Sequence, residues 1–164
     1  MRQLGKGGMG AIYLAQNTQA FDRLCVIKQL IAYHEPGEEQ RAHERFETEA
    51  RTLAALKHPG IPDMNGYFTE RGRNYIVMEY IEGQNLEQLM EGLRPQQGLA
   101  PEDVARYGAE ICRVLEYLSG VKPDPVVHCD IKPANIIIDR NSSQAVLVDF
   151  GTAKARYQCA FAQS

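Results

Sequence analysis

Five groups of residues that could do chemistry stand in one order along the 164-residue chain. A glycine run, Gly5-Lys6-Gly7-Gly8-Met9-Gly10, comes first. Lys28 follows, closing the apolar stretch Cys25-Val26-Ile27, and then Glu49. Later come His128-Cys129-Asp130-Ile131-Lys132-Pro133-Ala134-Asn135 and Asp149-Phe150-Gly151. Glycines let backbone amides approach phosphate oxygens without a Cβ in the way. Lysines neutralise phosphate charge, and carboxylate and amide oxygens suit a hard cation. These are the parts that phosphoryl transfer requires: nucleotide held, phosphates neutralised, metal fixed and a hydroxyl oriented in line.

Taken singly, the groups say less. Gly5-x-Gly7-x-x-Gly10 also occurs in dinucleotide-binding folds, but those place a helix after the glycines and here a strand follows. An ordinary hairpin turn is the other reading. Lys28 sits within an apolar strand, where a charge is costly unless paired. Glu49 is the best candidate partner, because it lies on the apolar stripe of its helix while Glu44 and Glu47 lie off it. A strand-end lysine that snorkels to water is the alternative. His128 alone reads as a core histidine, Asp130 as a turn residue and Asp149 as a strand-end cap.

The elements that must position these groups can be read from pattern. Ala11–Ala15 and Leu24–Lys28 are rich in β-formers and are joined through Phe21-Asp22-Arg23 as a hairpin. Before them, Met1–Leu4 leads into the glycine turn as a first strand. A helix is expected from about Glu38 to Lys57, with Phe46, Ala50, Leu53 and Leu56 on one stripe and His58-Pro59-Gly60 ending it. Strands near Met64–Thr69 and Asn74–Glu79 flank the turn Arg71-Gly72. The first 80 residues thus read as a five-stranded antiparallel sheet with one helix. Residues 81–84 read as a linker. A short helix, Asn85–Leu93, is closed by Pro95. A long one follows at Pro101–Ser119, with Val104, Gly108, Ile111, Leu115 and Leu118 buried and Gly120 as its cap. Short strands at Ile136–Asp139 and Ala145–Val148 flank the loop Arg140–Gln144. The last segment, Thr152–Ser164, offers Thr152, Tyr157 and Ser164 as hydroxyls, and Tyr157–Ala162 reads as a tail for which no structure is expected.

On these motifs the chain resembles the protein kinase family, of the Ser/Thr type, over essentially its whole length. The resemblance implies an α+β, two-lobed fold, with a lobe at 1–80, a hinge at 81–84 and part of a helical lobe at 85–164. It implies ATP and Mg²⁺ as cofactors and a protein hydroxyl as acceptor. Lys28 would hold the α- and β-phosphates and pair with Glu49. Asp130 would act as base and Lys132 would neutralise the γ-phosphate. Asn135 and Asp149 would hold Mg²⁺. Leu4, Gly5, Gly7, Gly10, Ile12, Val26 and Ile137 would surround the nucleotide. Met78 would stand at the back of the adenine pocket, and the backbone from Glu79 to Ile81 would read the adenine edge. His128 and Phe150 would stack with Leu53.

Three departures from the family pattern matter. Cys129 replaces an arginine that pairs with a phosphorylated activation loop, which implies a kinase that does not depend on that switch. Val26 replaces a common alanine and narrows the adenine pocket slightly. The chain stops at Ser164, soon after the metal motif, so the resemblance reads it as an incomplete domain. A non-catalytic ATP-binding or regulatory fragment is the alternative reading, and a small-molecule kinase of related fold is disfavoured by Lys132-Pro133.

Composition narrows the remaining classes. Net charge is −3 and no Lys/Arg run forms a footprint for nucleic acid. The 4 cysteines are scattered without a C-x-x-C pair, which argues against a zinc site or a disulfide scaffold and fits a reducing cytosol. No apolar run approaches a membrane span, and Met1-Arg2-Gln3-Leu4 does not read as a signal peptide. A cytoplasmic location is expected, with an anchor in a longer parent chain left open.

Overall fold

The computed structural model describes residues 2–7, 10–18, 20–30, 39–93, 98–150 and 154–155. Its contacts divide the chain into two units, Met1–Lys57 with Asp63–Tyr80, and His58–Pro62 with Ile81–Ser164.

The first unit is a five-stranded antiparallel sheet with one helix, as its β-branched and aromatic runs lead one to expect. In chain order it comprises β1 (Arg2–Gly7), β2 (Gly10–Asn17), β3 (Arg23–Leu30), α1 (Glu39–Ala54), β4 (Met64–Glu70) and β5 (Arg73–Glu79). The spatial order is β1-β2-β3-β5-β4. Arg71 and Gly72 have φ values of 50° and 70°, the left-handed pair that matches the twist of a tight hairpin.

Two boundaries differ from expectation. β1 does not stop at Leu4 but continues to Gly7, which pairs with Gly10, so Gly5, Gly7 and Gly10 lie on strands. Leu4 is the extra residue of a bulge between Gln3 and Gly5. The helix ends at Ala54 rather than near Lys57. Its tail tightens: the Ala55 N–H is shared between the Arg51 and Thr52 carbonyls, and the Leu56 N–H donates to Leu53 at 3.1 Å. Pro59 disfavours helical backbone at His58, so the helix does not resume beyond this tightened turn.

One face of the α1 helix supplies the core of this unit. Phe46 and Ala50 are buried against Ile76, with Leu53, Met64, Tyr67 and Met78 packed around them. The Phe46 and Tyr67 rings meet edge to face at 5.5 Å. Truncating Phe46 to alanine removes contacts worth about 3–5 kcal/mol.

The second unit contains β6 (Gly83–Asn85), α2 (Leu86–Glu91), α3 (Pro101–Gly120), β7 (Val126–Val127), a 3-10 turn at Pro133–Asn135, β8 (Ile136–Asp139), β9 (Ala145–Leu147) and β10 (Lys154–Ala155). β6, β8 and β9 form a three-stranded antiparallel sheet with β9 at one edge, and β7 pairs with β10. Gly83–Asn85 is therefore a strand, where the sequence suggested a linker over 81–84. Glycine at 83 lets β6 approach β8 closely, since a Cβ there would lie 2.0 Å from the Ile138 carbonyl oxygen. Asn85 ends the strand and caps α2: its side chain accepts the Gln88 N–H, and the Gln88 side chain accepts the Asn85 N–H. α2 is shorter than the expected 85–93, and Pro95 lies outside the described residues.

α3 begins on Pro101 with Glu102 and Asp103 in its first turn, where a missing N–H costs nothing and negative charge is favoured. Its buried line is Ile111, Val114 and Leu118. Val104 and Gly108 are exposed and Leu115 is half-buried, so the inward face is rotated from the one read in the sequence. Val114 was missed because Leu115 beside it is the larger apolar residue. Against this ridge lie the fully apolar, buried residues of β9, Ala145, Val146 and Leu147.

Candidate functional site

The strand register of the first unit sorts the expected nucleotide-binding residues. Gly5 pairs with Ile12, Ile12 with Lys28, and Lys28 with Ile76; Val26 pairs with Met78. Directly paired residues share a face, and so do residues two apart. Gly5, Gly10, Ile12, Val26, Lys28 and Met78 therefore occupy the same side of the sheet as Ile76, the side on which α1 packs. A Cβ built at Gly5 meets nothing within 4 Å, so the space beside β1 is open there. Gly10 has φ 129°, a conformation that side chains rarely adopt. Lys28 is buried, with 3 % of its surface exposed. Glu49 lies on α1, but its side chain is outside the described residues, as is Gly151. The N–H of Glu79 donates to the Asp63 carbonyl at 2.8 Å. Ile81 begins the other unit.

The second unit holds the denser cluster. Lys132 Nζ lies 2.8 Å from Asp130 Oδ2. Asn135 Nδ2 donates twice to the same residue, to the Asp130 carbonyl at 2.8 Å and to Oδ2 at 2.9 Å. Both side chains thus converge on Oδ2, and among the described residues none donates to Oδ1. The Lys132 ammonium holds the Asp130 carboxyl below its ordinary range, against the opposing effect of partial burial, and Asn135 adds to the lowering. In return Asp130 raises the Lys132 ammonium, with smaller help from Asp149 and Glu87.

Local backbone explains the convergence. Pro133 starts the 3-10 turn, whose Asn135 N–H returns to the Lys132 carbonyl at 2.9 Å. That turn swings the Asn135 side chain back onto Asp130. Cys129 has φ 64°, in the left-handed region where a non-glycine residue is uncommon. Its Sγ is directed at the Val127 carbonyl at 3.5 Å.

His128 ties this loop to the residues before Asp149. Its Nδ1 accepts the Asp130 N–H at 3.3 Å, so Nε2 carries the proton that meets the Val148 carbonyl at 3.0 Å. The Val148 N–H donates to the Asn135 carbonyl at 2.9 Å. Val148 is thus held from both sides by the loop that carries Asp130, immediately before Asp149. Asp149 takes φ 69°, a conformation aspartate tolerates better than most residues. The His128 and Phe150 rings meet edge to face at 4.7 Å. Leu53, the third expected member of that stack, belongs to the core of the first unit. Val148 joins this network through its N–H and carbonyl, which no residue pattern would have revealed.

The donor chemistry suits magnesium. Because Asn135 commits Nδ2 to Asp130, its Oδ1 is the atom left for a cation, and Asp149 carries the other oxygen donor expected from the sequence. Among the described residues no three His, Cys, Asp or Glu side chains are grouped for a metal. Mg²⁺ needs no such cage, since it takes one or two protein oxygens and fills its shell from phosphates and water.

The model of the protein kinase domain matches residues 1–163. The chain is 37% identical over 155 residues to serine/threonine-protein kinase B of Synechocystis, covering 92% of this chain and 26% of that one. It is 36% identical over 159 residues to serine/threonine-protein kinase PknA of Nostoc, covering 94% and 27%. It is also 30% identical over 164 residues to the probable serine/threonine-protein kinase PknB of Lactococcus lactis, covering 100% and 25%. The chain spans about a quarter of the length of these relatives. No described helix is long and apolar enough to cross a membrane.

Proposed function

The chain belongs to the protein kinase domain family, and on that premise we propose that it carries the Mg·ATP site of a serine/threonine protein kinase. The observation that supports this best is the arrangement at Asp130. Its Oδ2 is occupied by Lys132 and Asn135, while Oδ1 receives no hydrogen bond from the described residues. Oδ1 is then the oxygen to which a substrate hydroxyl donates. Held there, the hydroxyl oxygen attacks the γ-phosphorus as the bond to the β–γ bridging oxygen breaks. Its proton passes to Asp130 late, as suits a carboxylate held below its ordinary pKa in a loose transition state.

Lys132 stays within reach of both Asp130 and an incoming γ-phosphate, and its raised pKa keeps it charged. Asn135 Oδ1 and Asp149 would hold Mg²⁺, which when bound neutralises phosphate charge. In the first unit Gly5, Gly7 and Gly10 would admit the phosphates and Lys28 would pair with them and with Glu49. Leu4, Ile12, Val26 and Ile137 would contact the nucleotide. Met78, Glu79 and Ile81 would line the adenine end. The acceptor class, a protein Ser/Thr hydroxyl, rests on the names of the relatives. The lobe, hinge and partial-lobe division at 1–80, 81–84 and 85–164, and a cytoplasmic location, are parts of the same proposal.

The test is transfer of labelled phosphate from ATP to casein by the parent chain and by Asp130→Asn, together with their thermal melts with and without Mg·ATP. Saturating ligand should raise the parent midpoint by about 5–10 °C. Asp130→Asn should keep that shift and lose transfer. Equal transfer by both proteins would sink the role of Asp130. A melt that ignores Mg·ATP would sink the site.

A further inference from the structure

Among the described residues β9 is an edge strand, so the N–H groups on its outer side have no neighbouring strand there. Two of them are satisfied from outside the sheet. The Leu147 N–H donates to the Gly60 carbonyl at 2.8 Å. The Ala145 N–H donates to Oε2 of Glu110, a side chain of α3, at 2.7 Å in a part-buried position. Four residues after Ala145 comes Asp149. One turn earlier on the helix, Arg106 donates from Nη1 to the Ser143 carbonyl at 2.7 Å. Arg106 is itself steadied by Asp103 at 2.7 Å and by the Tyr107 ring.

Building on the reading of Asp149 as a metal residue, we infer that Glu110 is a positioning residue for it, acting through the backbone of β9. β9 is only three residues long, and its ladder with β8 is correspondingly short. It needs a hold on its outer edge to keep its end from fraying. The apolar ridge of α3 presses on β9 but does not fix it along its axis, because hydrophobic contact is non-directional. The Glu110 carboxylate supplies direction: a charge-assisted bond to one amide sets where β9 begins. From there the inner N–H of Val148 reaches Asn135, and Asp149 follows. Glu110 thereby couples α3 to the spacing between Asn135 and Asp149 without touching either.

The role is separable from simple stabilisation. Glu110→Gln keeps an acceptor oxygen at the same reach. Glu110→Leu removes it, and Glu110→Asp keeps the charge but shortens the reach, which covers the case in which the leucine variant does not fold. In the full chain, amide hydrogen exchange at Val148 is expected to speed about tenfold in Glu110→Leu, less in Glu110→Asp, and to stay near parent in Glu110→Gln. Mn²⁺ affinity in the presence of ATP, read by electron paramagnetic resonance, should fall about tenfold in the leucine variant and hold in the glutamine variant. ATP affinity without metal should not move. Exchange that quickens at Ala145 but not at Val148 would overturn the inference, as would a lower Tm with unchanged Mn²⁺ affinity. A parent chain that binds no Mn²⁺ with ATP would instead sink the metal reading of Asp149, while the exchange measurement still decides whether Glu110 positions it.

Discussion

Asn135 grips Asp130 at two points, donating from Nδ2 to its carbonyl at 2.8 Å and to Oδ2 at 2.9 Å. One amide therefore fixes both the backbone and the carboxylate of Asp130, the residue proposed to meet the substrate hydroxyl. Asn135→Leu should lose both bonds and leave a part-buried carbonyl unsatisfied. We expect a stability loss of about 1–3 kcal/mol in urea titration. Phosphotransfer should fall by about a hundredfold even under conditions where the protein remains folded. A variant that melts early yet transfers at the parent rate would show that Asp130 holds its pose without this grip.

The ion pair between Asp130 and Lys132 gives a defined pH response. The Asp130 carboxyl is lowered from its ordinary 3.8, so its contribution to stability is full above that value and is lost as pH falls through the lower, folded pKa. Lys132 is raised from 10.5, so its contribution is full below that value and is lost only as pH rises through the higher, folded pKa. The pair is thus insensitive to pH between these limits, and solvent screening keeps its effect on stability small. Lys132→Met should move the Asp130 titration upward, as followed by carboxyl carbon chemical shifts. An Asp130 that titrates at its ordinary value in the parent would contradict the geometry.

Gly60 and Val114 should behave as a coupled pair. A Cβ at Gly60 would lie 2.5 Å from Val114 Cγ2, so something must give. Gly60→Ala is expected to cost about 1–3 kcal/mol by overpacking. Val114→Ala is expected to cost about 2 kcal/mol by leaving a cavity. In the double variant the new methyl enters the vacated space, and the combined loss should fall short of the sum by about 1 kcal/mol. Strict additivity in denaturant titrations would mean that the two positions are not in contact.

The sheet of the first unit was legible because alternation, turn residues and a helical stripe all agreed there. The cluster around Asp130 was legible as residue types at set spacings. What escaped were interactions made by backbone. The strand at Gly83–Asn85 looks like a linker because Gly-Gln-Asn has low strand propensity; its pairing with β8 overrides that. The short pairing of β7 with β10 involves two residues on each side, too few for a period. Val148 joins the loop through an N–H and a carbonyl, bonds that its residue type does not announce. Glu110 could have been noticed as an acid one turn before Val114 on the buried side of α3, but choosing Leu115 over Val114 turned that face outward.

Residues 58–62 belong by their contacts to the second unit, although the residues on both sides belong to the first. The chain therefore passes between the units three times. No single cut yields two pieces that each keep all their own parts. A fragment ending at Tyr80 would carry off Gly60, the acceptor of the Leu147 amide. It would also remove His58, whose ring lies 5.2 Å from that of Tyr117. The remainder would keep β9, the strand that leads to Asp149, but lose the acceptor of its Leu147 N–H. For this protein, dissection into halves is a loss-of-structure experiment, and rejoining the halves in trans would require the five-residue strap to travel with the second piece.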